Sequence, residues 1–215
     1  MQNTADIVSV INDYGFEDTS SNTKLAMLND TISEFCALEP WPFLESDVTL
    51  TFSGSSAVPT NIPSDFRASL VIVDPVTGRN IRPERLDTLE KSAAGLLTQS
   101  GDPLFYYFEG GQLRFAGVPT ASFTARMRYL RLHPTVTVDT TSSGYLIPVR
   151  HWWVLIFGTL AKLYDLDDDP EMSDRMEAHY DKKVAKIRSE LWKTQYDEPD
   201  YVVVTDPDYI IDFPV

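Results

Sequence analysis

The chain has 215 residues, 43% of them hydrophobic, enough for one large domain or two small ones with a true core. Its formal net charge of −14, from 32 acidic and 18 basic side chains, argues against sequence-independent nucleic-acid binding, which needs clustered Lys and Arg. No apolar run approaches the ~18 residues of a membrane span, and the single cysteine, Cys36, forbids an internal disulfide and suits a reducing compartment.

In chain order, Thr4 precedes Ile7, Val10, Ile11 and Tyr14 at helical spacing, with Gly15 able to supply a left-handed stop. Ser21 or Asn22 can cap a second helix, in which Leu25, Leu28, Ile32 and Phe35 share one face. Cys36 falls on that stripe and reads as a core thiol. Glu39-Pro40-Trp41-Pro42 ends the helix, because proline removes donors and pushes its predecessor out of the helical region.

From Asp47 the hydrophobic period changes from 3.6 to 2. Val48–Phe52 alternates, Ala68–Val73 is a β-branched run, and Val76-Thr77-Gly78-Arg79 makes a turn. Pro83–Ala94 has helix-forming composition. Leu104–Phe108 and Leu113–Phe115 flank Gly110-Gly111 as a hairpin, and Ser122–Leu132 is a long alternating strand. Arg114, Arg126, Arg128 and Arg131 lie in these strands and read as a solvated sheet face.

Pro148 suits a helical first turn, followed by Trp152, Trp153, Ile156, Phe157, Leu160, Leu163 and Tyr164, a helix apolar on most sides. Asp169 is placed to cap a last helix that opens with Pro170 and carries Met172, Met176, Tyr180, Val184, Ile187 and Leu191 in a stripe. Acids lead that helix and bases close it, which suits the macrodipole.

The expected fold is α+β. A discontinuous helical bundle from residues 1–46 and 145–195 holds an inserted small antiparallel β domain at 47–144, with an extended C-terminal arm at 196–215. The arm is the candidate site. Residues 197–215 hold six carboxylates and no Lys or Arg, and they carry Tyr201, Val203, Tyr209, Ile210, Ile211, Phe213 and Val215 between prolines. Contiguous apolar side chains on a segment without helical period mark a place where another surface belongs. These seven residues are the predicted partner-binding set.

Catalytic signatures are not found. His133, His151 and His179 lie in different elements without metal spacing, and no nucleophile elbow or phosphate-binding glycine loop occurs. Asp165, Asp167 and Asp169 match the opening of a calcium loop, but its sixth position is Pro170 and its twelfth Met176. No catalytic residue, metal or cofactor is expected.

Several segments in this order resemble one family. These are Leu28-Asn29 with Ile32, then Pro40-Trp41-Pro42-Phe43-Leu44, then Ile62-Pro63-Ser64-Asp65-Phe66-Arg67. Gly101-Asp102-Pro103, Gly110-Gly111-Gln112-Leu113, Tyr129–Pro134 and Ile147-Pro148 with His151–Leu163 follow. Together, over roughly residues 5 to 192, they resemble the head–tail adaptor (connector) proteins of tailed bacteriophages. The resemblance implies a structural virion protein and not an enzyme. It implies a ring of about twelve copies, one face on the portal protein and the other on tail or nozzle proteins, with DNA passing through unbound and no membrane. It places the protein at the virion neck, after assembly in the host cytoplasm. Family members often grip the portal with an extended C-terminus, and the residues leave open whether the arm docks on the portal or on a neighbouring copy. The competing readings are a tail-completion or terminator protein and a small enzyme.

Overall fold

The computed structural model describes residues 2–52, 56–92, 94–110, 112–119 and 122–196. Helix α1 (Thr4–Ile11) begins at Asn3, whose side chain accepts from the Asp6 N–H and satisfies one of the donors left open at a helix start. A π-type turn over Asn12–Phe16 follows, and Gly15 (φ 99°) takes the left-handed conformation that turns the chain. The cap of α2 (Ser21–Leu38) is Ser20, one residue before the expected pair; its hydroxyl accepts from the Thr23 N–H. At the other end, the Trp41 indole donates to the Phe35 carbonyl at 2.7 Å and its ring stacks on Phe35 and Phe43.

Six strands follow: β1 (Glu45–Phe52), β2 (Phe66–Val73), β3 (Asn80–Pro83), β4 (Phe105–Glu109), β5 (Gln112–Ala116) and β6 (Phe123–Arg131). They form one sheet in the order β1-β6-β2-β3-β4-β5. Alternation sends Leu50, Ile72, Tyr106, Phe115 and Met127 to a common inner face. Phe52 of β1 and Phe115 of β5, at opposite ends of the strand order, meet edge to face at 4.8 Å. The sheet therefore curls until its two outer strands face each other, and the Phe115 N–H reaches the Ala57 carbonyl in the β1–β2 loop. The same loop blunts the β1 edge: the Asn61 side chain accepts from the Thr51 N–H and donates to the Thr49 carbonyl. Helices α3 (Leu86–Ser92) and α4 (Ala94–Thr98) cover the opposite face of β4 and β5 through Leu89, Tyr107 and Ala116.

A single 3-10 turn at Val149–His151 leads into α5 (Trp152–Leu166), and α6 (Pro170–Tyr196) starts on Asp169, which accepts from the Met172 N–H. Helix α5 buries Trp152, Val154, Leu155, Ile156, Leu160 and Leu163, taking up nearly its whole circumference. Helices α1, α2 and α6 all pack on it.

The expected architecture, a helical bundle with an inserted antiparallel β domain, is overturned. Helix α1 has only eight residues, too few to form one wall of a bundle. The helical core is completed by Leu130 of β6, by Ala68 of β2 packed at its margin, and by Val136, Tyr145 and Ile147 of the connector, where a bundle would use helix faces. The sheet is likewise not purely antiparallel, because β3 and β4 pair parallel. The chain is a mixed α+β fold on a curled six-stranded sheet, with six α-helices among the described residues. Residues 197–215 of the expected arm lie outside the described residues; Tyr196 is the last residue of α6.

Close approach at the centre of α5 depends on Gly158. A methyl group there would stand 2.5 Å from Thr31 Cγ2 on α2 and 3.0 Å from the Tyr180 ring on α6. Gly158→Ala should therefore lower stability by about 1–3 kcal/mol through overpacking, despite the better helix propensity of Ala. Adding Thr31→Ser, which removes the clashing methyl, should recover part of that loss. Urea unfolding of the two single variants and the double variant measures both, and a Gly158→Ala chain as stable as wild type would show that α2 and α6 have room to shift.

Candidate assembly surfaces

The outer face of β1, β6 and β2 presents Thr49, Thr51, Thr124, Arg126 and Arg128 beside Val71 and Val73. Arg126 pairs with Asp47 at 3.2 Å and Arg128 with Glu45. Arg114 pairs with Glu109 at 3.1 Å. Arg126 and Arg128 are more than half exposed and form the solvated sheet face anticipated from the alternation, where ion pairs contribute little stability. Arg114, by contrast, has its Nε buried without a hydrogen-bond partner among the described residues.

Arg131 does not belong to that face. Pairing of β2 with β6 shifts register twice, first between Phe66 and Ala68, then between Ser69 and Val71. Arg67 is the extra residue of the first irregularity, and β-bulges redirect side chains in this way. Its guanidinium reaches the C-terminus of α2, donating to the Cys36 carbonyl at 2.6 Å and the Ala37 carbonyl at 3.4 Å. A cation there satisfies open carbonyls and complements the helix dipole. Arg131 stands opposite Phe66. Its Nε is buried without a hydrogen-bond partner, and no ion pair involves it among the described residues.

Arg67 and Arg131 border a groove of about 250 Å³ between the end of α2 and the end of β6, with Ile32, Leu132, His133 and Pro134 as further walls. No carboxylate lines it. Leu132 is 51% exposed. The Cys36 thiol, also on the wall, is pushed up to about 12 by burial, which Arg67 only partly offsets, so it stays protonated and unreactive at neutral pH. The groove escaped the reading of the sequence because Arg131 was taken with the solvated sheet face and Arg67 only as the end of the Ile62–Arg67 segment. One signal was present: Arg126 and Arg128 share a parity that Arg131 breaks.

The seven arm residues, Tyr201, Val203, Tyr209, Ile210, Ile211, Phe213 and Val215, lie outside the described residues. The end from which the arm departs is visible. Arg188 of α6 pairs with Glu39, just beyond α2, and α6 continues through Tyr196.

The remaining polar candidates serve the fold. His133 Nδ1 meets the Pro134 carbonyl at 2.7 Å and Nε2 accepts from the Leu146 N–H at 3.1 Å, so the neutral ring ties the strand end to the connector. His151 Nε2 accepts from Arg150 Nε, and His179 stacks on Phe157 with centroids 5.1 Å apart. Asp169 is spent on the α6 cap and the Asp167 N–H closes α5. Among the described residues no cluster of three or more His, Cys, Asp or Glu is arranged to hold a metal ion.

Comparison with known proteins gives one family. The model described as SU10 adaptor protein matches residues 2–204. The match spans nearly the whole chain, and the chain belongs to that family of phage head–tail adaptors. No curated protein matches it.

Burial first, and the neighbouring Arg150 charge second, hold His151 below the ordinary imidazole value of 6.5; burial likewise dominates the lowering at His133. The unfolded chain binds protons at both sites that the folded chain resists, so stability is full above 6.5 and falls as pH drops below it. The urea midpoint should decrease between about pH 7.5 and about pH 5.5, and His133→Gln should flatten the decrease. An equal midpoint at both values would contradict the assignment.

Proposed function

We propose that this adaptor assembles as a ring of about twelve copies between the portal protein of a DNA-filled head and the tail or nozzle proteins, held by its C-terminal segment and open to the genome. The observation that carries the reading is the adaptor-family match over residues 2–204. Family membership makes the chain a structural phage adaptor of the virion neck. The ring, the channel and the portal are the finer part of the proposal.

Physical chemistry supports that finer part in two ways. A protomer of charge −14 repeated around a channel repels phosphate and lets DNA slide. The segment 197–215 mixes six carboxylates with Tyr201, Val203, Tyr209, Ile210, Ile211, Phe213 and Val215. Such a segment binds by laying its apolar side chains into a groove or along a strand edge, with the aromatic ones as anchors. Assembly in the host cytoplasm follows from the same reading.

Removing residues 197–215 should leave the helical signal and melting of the core intact, because α6 already packs on α5 through Met176, Val184 and Ile187. It should weaken assembly with purified portal by about 2 kcal/mol or more. Light scattering of the full chain alone and with portal supplies the reference. A full-length chain that stays monomeric and never joins portal defeats the proposal.

A further inference from the structure

We propose that the groove between the end of α2 and the end of β6 receives residues 197–215 of a second copy of this chain, with Arg131 taking one of that segment's carboxylates. The inference rests on the reading of 197–215 as a docking arm and names the surface that receives it.

Arg131 supplies the first argument. A buried guanidinium nitrogen without an acceptor carries a desolvation cost that an anion would remove. Arg67 beside it is held by the α2 carbonyls, so the groove has one engaged cation and one whose Nε has no partner among the described residues. The second argument is complementarity. In a chain of net charge −14, this groove is lined by two arginines and no carboxylate. Its apolar walls are Ile32, Leu132 and Pro134. The terminal segment carries the matching pattern, acidic and apolar side chains in alternation, as in Ile211-Asp212-Phe213. Bidentate guanidinium–carboxylate pairing is the strong form of such a contact.

The third argument is where the helix ends. Helix α2 stops at Leu38 and α5 begins at Trp152, and α6 passes both ends near Arg188, which pairs with Glu39. It then runs eight residues further to Tyr196, about 12 Å at helical rise. The arm thus starts about 12 Å past the α2 end that borders its own groove, and the ring proposed above offers it the same groove on a neighbour. An arm on one surface and a receptor on another make a head-to-tail contact, the type that closes into rings.

Full-length charge reversals test this by sedimentation velocity, with circular dichroism confirming the fold. Arg131→Glu alone, and Asp208→Lys with Asp212→Lys in the arm alone, should each weaken self-association at least about tenfold. Mixing the two variant proteins should restore association, because each groove then meets an arm of opposite sign. Leu132→Asp, at an exposed wall position, should weaken association in the same way and guards against misfolding of the Arg131 variant. Restoration only when both changes sit in one chain, and not on mixing, would place the arm in its own subunit and overturn the proposal. Wild-type self-association untouched by Arg131→Glu and Leu132→Asp would overturn it too, while leaving the adaptor reading standing if portal still binds.

Discussion

Helix α5 sets the terms for the whole molecule. It is apolar around nearly its full circumference, and burying such a helix requires partners on every side. The chain supplies them from both termini: α1 and α2 from the start, α6 from the end. At its middle the approach is so close that only a glycine fits between Thr31 and Tyr180. Everything from Glu45 to Arg131 is then an excursion whose two ends must return to the same helices. That explains why the outermost strand β1 leaves directly from the Trp41 corner and pairs with β6, the last strand, which leads back through the connector. Burial of one helix thus fixes where the sheet is rooted.

Once rooted, the sheet solves its own edge problem by curling. Phe52 and Phe115 bring the first and last strands of the order together, and the β1–β2 loop supplies the Ala57 carbonyl and the Asn61 amide to the exposed edges. Covered edges limit uncontrolled pairing, which open strand edges invite. Basic side chains are mostly consumed inside the subunit as well. Lys162 bridges α5 to Asp30 and Glu34 of α2, Arg188 holds Glu39, and Arg126 and Arg128 hold Asp47 and Glu45. With 32 acidic against 18 basic side chains, the surface charge is dominated by carboxylates, which disfavours tight binding of phosphate backbones.

The long periodic elements were legible in the sequence. The stripes Ile7–Ile11, Leu28–Phe35 and Met176–Leu191, and the alternation of Phe123–Leu130, appear as α1, α2, α6 and β6 because burial enforces period. Strand β3 was missed: four residues with one buried side chain, Ile81, carry too little alternation to register. The bundle was wrongly expected because hydrophobic pattern shows that α5 is covered, not by what; Leu130, Val136, Tyr145 and Ile147 do part of the covering and belong to no helix. The adaptor family was legible from motif order and is matched over residues 2–204. The groove was not legible, since it depends on a register shift, and register is a property of two strands at once.

That register shift links stability to assembly. By bulging at Arg67, β2 gives one arginine to the end of α2 and so ties the sheet to the helices. The same irregularity leaves Arg131 facing Phe66 with a buried nitrogen that has no partner among the described residues. A fold selected for stability alone would remove such a group, since an apolar side chain of similar shape avoids the desolvation cost. An acceptor arriving from a second copy would remove that cost, and a stretch with six carboxylates and no Lys or Arg follows the end of α6, past the pair formed by Arg188 and Glu39. If the proposed arm fills the groove, stability of the lone subunit and strength of the assembly trade against each other at one guanidinium.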